Sequence, residues 1–199
     1  MQVREATTAQ QREAIYRLRY EVYVGEMDRP QQYADHERQR IVEPLDATGI
    51  LLYVSVGDKI VGTVRANYAR DGDLGEYEHL YQMSKIASHP SDTSITTKFM
   101  VHPQHRGGRA ALALATGIYS HALFRGVRYN LMDCNPPLVG FFESLGFRKY
   151  LPRLEHTEYG SVIGMALDLH DVEHFRAIKS PFLPHYEAWQ ASQVIKATA

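Results

Sequence analysis

Apolar and polar positions along this chain switch between a period of two and a period near three and a half, and each switch marks an element. Val3 to Thr7 reads as a short strand, and Thr8 as the N-cap of a helix from about Gln10 to Glu26 in which Ile15, Leu18 and Val22 recur at helical spacing. Asp28 to Ile41 is polar and reads as a loop with a helical turn. Two apolar runs, Ile50 to Val56 and Lys59 to Tyr68, flank Gly57-Asp58 and predict a hairpin. A helix over Glu76 to Ile86 is closed by Ser88-His89-Pro90, and a strand over 94–102 carries Ile95, Thr97, Phe99 and Val101 on one side until Pro103 stops it.

Gly107-Gly108 then leads into a long helix to about Arg125, with Leu112, Ala115, Tyr119 and Ala122 at three- and four-residue spacing and Gly126 as terminator. Tyr129 to Cys134 is a strand, Pro136 to Leu145 a helix closed by Gly146, and Arg148 to Tyr150 a further strand. A polar hairpin near Glu158 to Gly160 precedes a strand from Ser161 to Leu169. Asp171 to Ala199 reads as helical pieces interrupted by Pro181 and Pro184. No internal repeat or low-complexity segment interrupts this order.

Composition narrows the picture. With 199 residues, 44% of them hydrophobic and 23% charged, the chain suits one α/β domain over 1–199 with a C-terminal extension at about 171–199. A formal net charge of -1 speaks against the basic surface of a nucleic-acid binder. The single cysteine, Cys134, excludes an internal disulfide and fits a reducing, cytoplasmic setting. Met1 to Thr8 lack a secretory pattern, and no run of about twenty apolar residues predicts a membrane span. His102 and His105 straddle Pro103 and a turn with no third ligand set by spacing, so no metal is expected.

The window Met100-Val-His-Pro-Gln-His-Arg-Gly-Gly-Arg-Ala-Ala-Leu is where chemistry concentrates: a strand ends, glycines turn the chain and a helix begins. Free N–H groups at a helix start, with the positive end of the dipole, bind an anion, and glycine lets the backbone approach it. Arg106 and Arg109 can add charge-assisted bonds to phosphate oxygens. A tight turn that needs glycine for geometry alone is the competing reading. One helix and one strand later comes Asn135-Pro-Pro-Leu-Val-Gly-Phe-Phe-Glu-Ser-Leu-Gly-Phe.

Together the two windows resemble the GNAT family of acyl-CoA-dependent N-acyltransferases. Val101, Pro103, Arg106, Gly107 and Ala111 fall in register with Val-x-Pro-x-x-Arg-Gly-x-Gly-x-Gly/Ala, with Arg109 in place of the second glycine. Asn135, Gly146 and Phe147 match the second motif, in which Phe142 stands where the family has a tyrosine. The resemblance implies a mixed α/β (α+β) fold: a mostly antiparallel central sheet flanked by helices, with a splayed parallel pair at the motif strands. It also implies an acyl-CoA, acetyl-CoA or acyl-phosphopantetheine co-substrate, held by Val101, Arg106, Gly107, Gly108, Arg109, Ala110, Ala111, Asn135 and Phe142. Phenylalanine has no proton to give a leaving thiolate, which at a pKa of about 8 to 9 barely needs one.

Arg19-x-x-x-Tyr23, Glu43-x-x-Asp46 and Val61-Gly-Thr-Val-Arg65 occur in the order seen in acyl-homoserine lactone synthases and N-acyl amino acid synthases, a branch of the same superfold. That likeness implies a primary amine acceptor, an amino acid among the options, and acyl carrier protein as an alternative donor carrier. An amine must be neutral to attack a thioester, and the oxyanion needs an N–H donor. The family places that donor on the motif strand, here near Met100 or Val101. Glu43 and Asp46 are the candidate bases or amine anchors, while Arg19, Tyr23 and Arg65 are the candidate acceptor-binding residues. Each has a plain alternative: Asp46 as a turn cap, Glu43 paired with a lysine, Arg65 paired with Asp46 on the surface. The expectation is an N-acyltransferase, monomer or homodimer. An acetyl-CoA-dependent N-acetyltransferase of a small amine or protein, or a non-catalytic acyl-CoA-binding module, are the alternatives.

Overall fold

In the computed structural model, which describes residues 1–156 and 158–198, strand β1 (Val3–Glu5) is followed by helix α1 (Ala9–Tyr20). Thr8 caps that helix reciprocally: Gln11 N donates to Thr8 Oγ1 at 3.2 Å, and Thr8 N donates to Gln11 Oε1 at 3.1 Å. The helical path continues to Glu26 as expected, but as a π-helical turn over Glu21–Glu26. The polar stretch that follows forms no helical turn. Instead β2 (Ala34–Asp35) and β3 (Arg40–Ile41) make a small antiparallel ribbon, closed where Asp35 Oδ1 accepts from Arg38 N and Gln39 takes a left-handed φ of 51°.

A 3-10 turn over Pro44–Asp46 leads to the hairpin of β4 (Ile50–Val56) and β5 (Lys59–Tyr68), turned at Gly57. Helix α2 (Glu76–Leu80) is shorter than its pattern predicts, because Gln82 adopts a φ of 51° and the chain restarts as a 3-10 turn over Met83–Lys85. Then come β6 (Thr93–Val101), α3 (Ala110–Phe124), β7 (Tyr129–Cys134), a 3-10 turn over Pro136–Leu138 and α4 (Val139–Leu145). Strand β8 (Arg148–His156) runs well past Tyr150, since its partner β9 (Gly160–Asp168) supplies a ladder along most of it. Helices α5 (Val172–Ile178) and α6 (Leu183–Thr198) end the described chain. Pro184 lies inside the first turn of α6, where its missing N–H would have had no helical partner, so it does not interrupt that helix.

Seven strands form one sheet in the order β1-β4-β5-β6-β7-β9-β8, antiparallel throughout except for the β6–β7 pair. Leu52, Val54, Val61 and Val64 face α3, which buries Leu114, Ala115, Ile118, Tyr119 and Ala122 against them. Leu112 is exposed, so the buried stripe of α3 is rotated from the one read in sequence. Tyr119 stacks on Phe182 at 4.2 Å between ring centroids, which ties the C-terminal segment to the same layer. Ile15 of α1 covers the opposite face with Leu51 and Tyr53. Each such fully buried aliphatic side chain stabilises the fold by roughly 1.5–3 kcal/mol.

The alternation expected along β6 fails at one place. Thr97 pairs with Arg65 and Met100 with Thr63, so Lys98 and Phe99 together oppose Val64. Lys98 has a φ of 52°, the left-handed conformation of a bulged residue. The face therefore flips: Ile95 and Met100 lie on the α1–α2 side, while Phe99 and Val101 pack with the α3 core.

Candidate functional site

The bulge at Lys98 decides where the sheet opens. Strands β6 and β7 pair only through Thr93–Tyr129, Ser94–Asn130 and Ile95–Leu131, and then diverge. A cleft of about 80 Å³ lies between them, walled by Thr96, Lys98 and Phe99 on one side and by Met132, Asp133 and Asn135 on the other. Beyond Ile95, the edge of β6 that faces this cleft has no ladder partner. Met100 lies just past the bulge, its side chain packed with Leu18 and Val22. A narrow apolar chamber of about 20 Å³ shares Thr96, Phe99, Met132 and Phe142 with the cleft and runs under α3 to Ala115 and Ala122. Phe142 is buried there, edge-on to Phe99 at 5.7 Å.

Past the end of β6 the chain turns at Gly107, whose φ of 74° favours glycine and around which a Cβ would meet nothing within 4 Å. The first amide of α3 to be satisfied is that of Ala113, which donates to Arg109 O at 3.0 Å, so those of Ala110, Ala111 and Leu112 have no intrahelical acceptor. Arg109 is exposed and makes no ion pair among the described residues. Arg106 is engaged elsewhere: its guanidinium grips Glu26 at 2.5 and 2.6 Å, and Nε donates to Val101 O. Asn135 occupies the N-cap position of the 3-10 turn before α4, without a side-chain capping bond, and lines the cleft.

Below the cleft, on the α1 face, lies a buried charge network. Arg19 Nη1 and Nη2 donate to Asp46 Oδ2 and Oδ1 at 2.7 and 2.9 Å. Arg65 Nη1 reaches Asp46 Oδ1 at 3.1 Å and Glu43 Oε2 at 2.8 Å. Lys98 pairs with Glu43 Oε1, donates to Tyr159 Oη and lies 5.1 Å above the Tyr23 ring. Burial would raise both carboxyls, but Lys98 and Arg65 outweigh it at Glu43, and Arg19 and Arg65 outweigh it at Asp46, holding both below their ordinary pKa. Lys98 is itself pushed down, because its burial exceeds the pull of Glu43 and Glu158. The Arg65–Asp46 pair exists as one sequence alternative had it, yet buried rather than on the surface. Arg19 and Arg65, expected to hold an acceptor, have 0% accessible side chains and spend their charge within this network. Asp46 also caps its turn, accepting from Glu43 N at 2.7 Å. Tyr23 stacks on Tyr159 at 5.5 Å, and burial pushes its phenol up to about 12.

Several cleft residues escape the sequence reading, Lys98, Tyr159, Arg29 and Asp133 among them. Arg29 lines the cleft, donates to Asn135 Oδ1 at 3.3 Å and lies 5.6 Å over the Tyr159 ring, with no ion pair among the described residues. Asp133 accepts from Tyr81 Oη at 3.1 Å, and burial raises its pKa against the opposing pull of His156, the Tyr81 bond and Lys98. The signal for Asp133 is a lone carboxylate in Asn-Leu-Met-Asp-Cys, a strand otherwise built for burial; Arg29 carries no comparable mark. His102 turns Nε2 toward Glu21 at 2.8 Å, with the His105 ring 5.8 Å from its own.

The family described as FeeM, N-acyl amino acid synthase, matches residues 14–168. No curated protein matches the chain. Among solved structures, TofI, in a ternary complex with an inhibitor and MTA, superposes with a TM-score of 0.70 at 13% identity over 92% of this chain and 98% of its own. FeeM, an N-acyl amino acid synthase from uncultured soil microbes, gives 0.68 at 16% identity, over 92% of this chain and 96% of that one. MesI, a CoA-dependent acyl-homoserine lactone synthase, gives 0.64 at 20% identity, over 85% and 88%. All three carry the fold described above.

Proposed function

We propose that this chain, which belongs to the N-acyl amino acid synthase FeeM family and is an N-acyltransferase, moves an acyl chain longer than acetyl from a phosphopantetheine thioester to the amine of an amino acid. The observation that carries this reading is the cleft between the diverging β6 and β7, which meets an apolar chamber within and a glycine turn with free amides at the end of the sheet.

In this reading the amides of Ala110 and Ala111, with Gly107, Gly108 and exposed Arg109, take the donor's phosphate. Val101 and Asn135 flank the pantetheine arm, and the acyl chain enters the chamber beside Phe142. The path toward Ala115 and Ala122 is narrow but lined almost wholly by apolar side chains, chemistry that suits a hydrocarbon chain longer than acetyl once those side chains part. Coenzyme A and acyl carrier protein present the same arm, so either serves as carrier. A main-chain amide near Met100 receives the oxyanion. Arg29, the cleft's cation without a carboxylate partner, holds the acceptor's carboxylate. Glu43, Asp46, Arg19 and Arg65 act as a rigid frame that fixes Tyr23 and Lys98 under the acceptor. Phe142 donates no proton, so the thiolate leaves without one from that position.

Mass spectrometry of lipid extracts from cells overproducing the protein tests the reading. N-acyl amino acids absent from control cells are expected, and they should vanish with Gly107→Asp, which sets a negative charge at the phosphate turn. Extracts holding only acetylated amines, or no new amide, would overturn it.

A further inference from the structure

N-acylation needs a base, because the acceptor arrives as an ammonium with no lone pair to attack the thioester. The two carboxylates read from sequence are poorly placed for that duty. Both oxygens of Glu43 are held, by Lys98 and by Arg65, and both oxygens of Asp46 are held by Arg19, with Arg65 and Glu43 N adding further bonds.

Asp133 is placed differently. It sits on β7 in the wall of the cleft, with Lys98 and the bulge of β6 on the wall opposite. Tyr81 Oη donates to Oδ2, while Oδ1 makes no hydrogen bond or ion pair among the described residues. Its strand neighbours Leu131, Met132 and Cys134 are buried, so a carboxylate here costs folding free energy that an apolar residue would not. The free oxygen is the one polar group of the β7 side chains beside the opening that can take a proton from a ligand lying between the strands.

We propose that Asp133 is the general base of the transfer, accepting a proton from the acceptor's ammonium inside the cleft. The inference rests on the N-acylation reading. Asp133 takes one N–H proton, and the freed electron pair forms the C–N bond as the carbonyl becomes an oxyanion. That oxyanion collapses, the C–S pair leaves with the thiolate, and nitrogen gives its second proton to sulfur. The carboxylic acid then returns its proton to water in the cleft. The titratable groups around the carboxylate are Tyr77 and Tyr81 from α2 and the turn after it, His156 from β8, Lys98 from β6 and Tyr23 from the π-helical turn. Burial among them raises the pKa of Asp133, and a carboxylate with a raised pKa is the stronger base.

The experiment compares wild type with Asp133→Asn, which keeps the acceptor atom for Tyr81, across a pH series with one acyl donor and one amino acid. Near neutrality the variant should lose about a hundredfold or more in kcat, with donor KM and thermal unfolding little changed. Its loss should shrink as pH rises past the amine's own pKa, where the acceptor arrives neutral. A variant within a few fold of wild type at every pH overturns the proposal, and so does a loss that stays constant with pH, which marks a structural role. Wild type that transfers to no amine from any donor fails the N-acylation reading itself and takes the proposal with it.

Discussion

Arg19 holds both carboxylate oxygens of Asp46, at 2.7 and 2.9 Å, where neither side chain meets solvent. Such a pair gains little over an apolar substitute but is costly to break, because the partner left behind is a buried, uncompensated charge. Asp46→Ala strands Arg19 and half of Arg65's pairing, so it should destabilise the fold by about 3–5 kcal/mol. Urea unfolding measures this; a loss under about 1 kcal/mol would mean that water reaches the pair.

Stability should also fall in acid. Glu43 and Asp46 have folded-state pKa values below their ordinary ones, so their contribution is fully present above the unfolded carboxylate range, near about 4, and is lost as pH drops through the lowered folded values. Urea midpoints between neutrality and acid should hold steady and then drop, with a smaller drop in Asp46→Asn. Equal slopes for the two proteins would exclude Asp46 as a source.

Chain length should respond to the chamber under α3. Ala115→Leu adds volume where the chamber meets the helix, so kcat/KM for long-chain donors should fall at least about tenfold, or about 1.4 kcal/mol, while short-chain donors are spared. Kinetics with a donor series decides; equal losses at all lengths would show that the chain lies elsewhere.

Acceptor choice should depend on Arg29. A charge-assisted hydrogen bond contributes about 1.5–3 kcal/mol, so Arg29→Ala should raise KM for an amino acid roughly 10- to 100-fold, and leave a matching amine without a carboxylate unaffected. Equal effects on the two acceptors would remove Arg29 from recognition.

The hairpin of β4 and β5, the strand β7 and the extent of α3 are legible in sequence because each is bounded by glycine or proline and carries one unbroken period. The bulge is not, because a lysine at positive φ has no local signature and is held there by pairing to a strand thirty residues earlier. The shape of the cleft follows from that bulge, so it was equally hidden. Arg19, Glu43, Asp46 and Arg65 could be picked out as a group by order and spacing, but their burial in one network is a tertiary fact. Ala34–Asp35 and Arg40–Ile41 are too short to carry a period, so in sequence they look like loop.

Transfer itself is tested most directly by purified protein mixed with acyl-CoA and acyl carrier protein donors of graded length, with and without an amino acid pool, while free thiol and new amide are measured together. Thiol release should require the amino acid and be matched by an equal yield of N-acyl amino acid, greatest with long chains. Thiol release that ignores the amino acid, or none with any donor, would contradict this transfer.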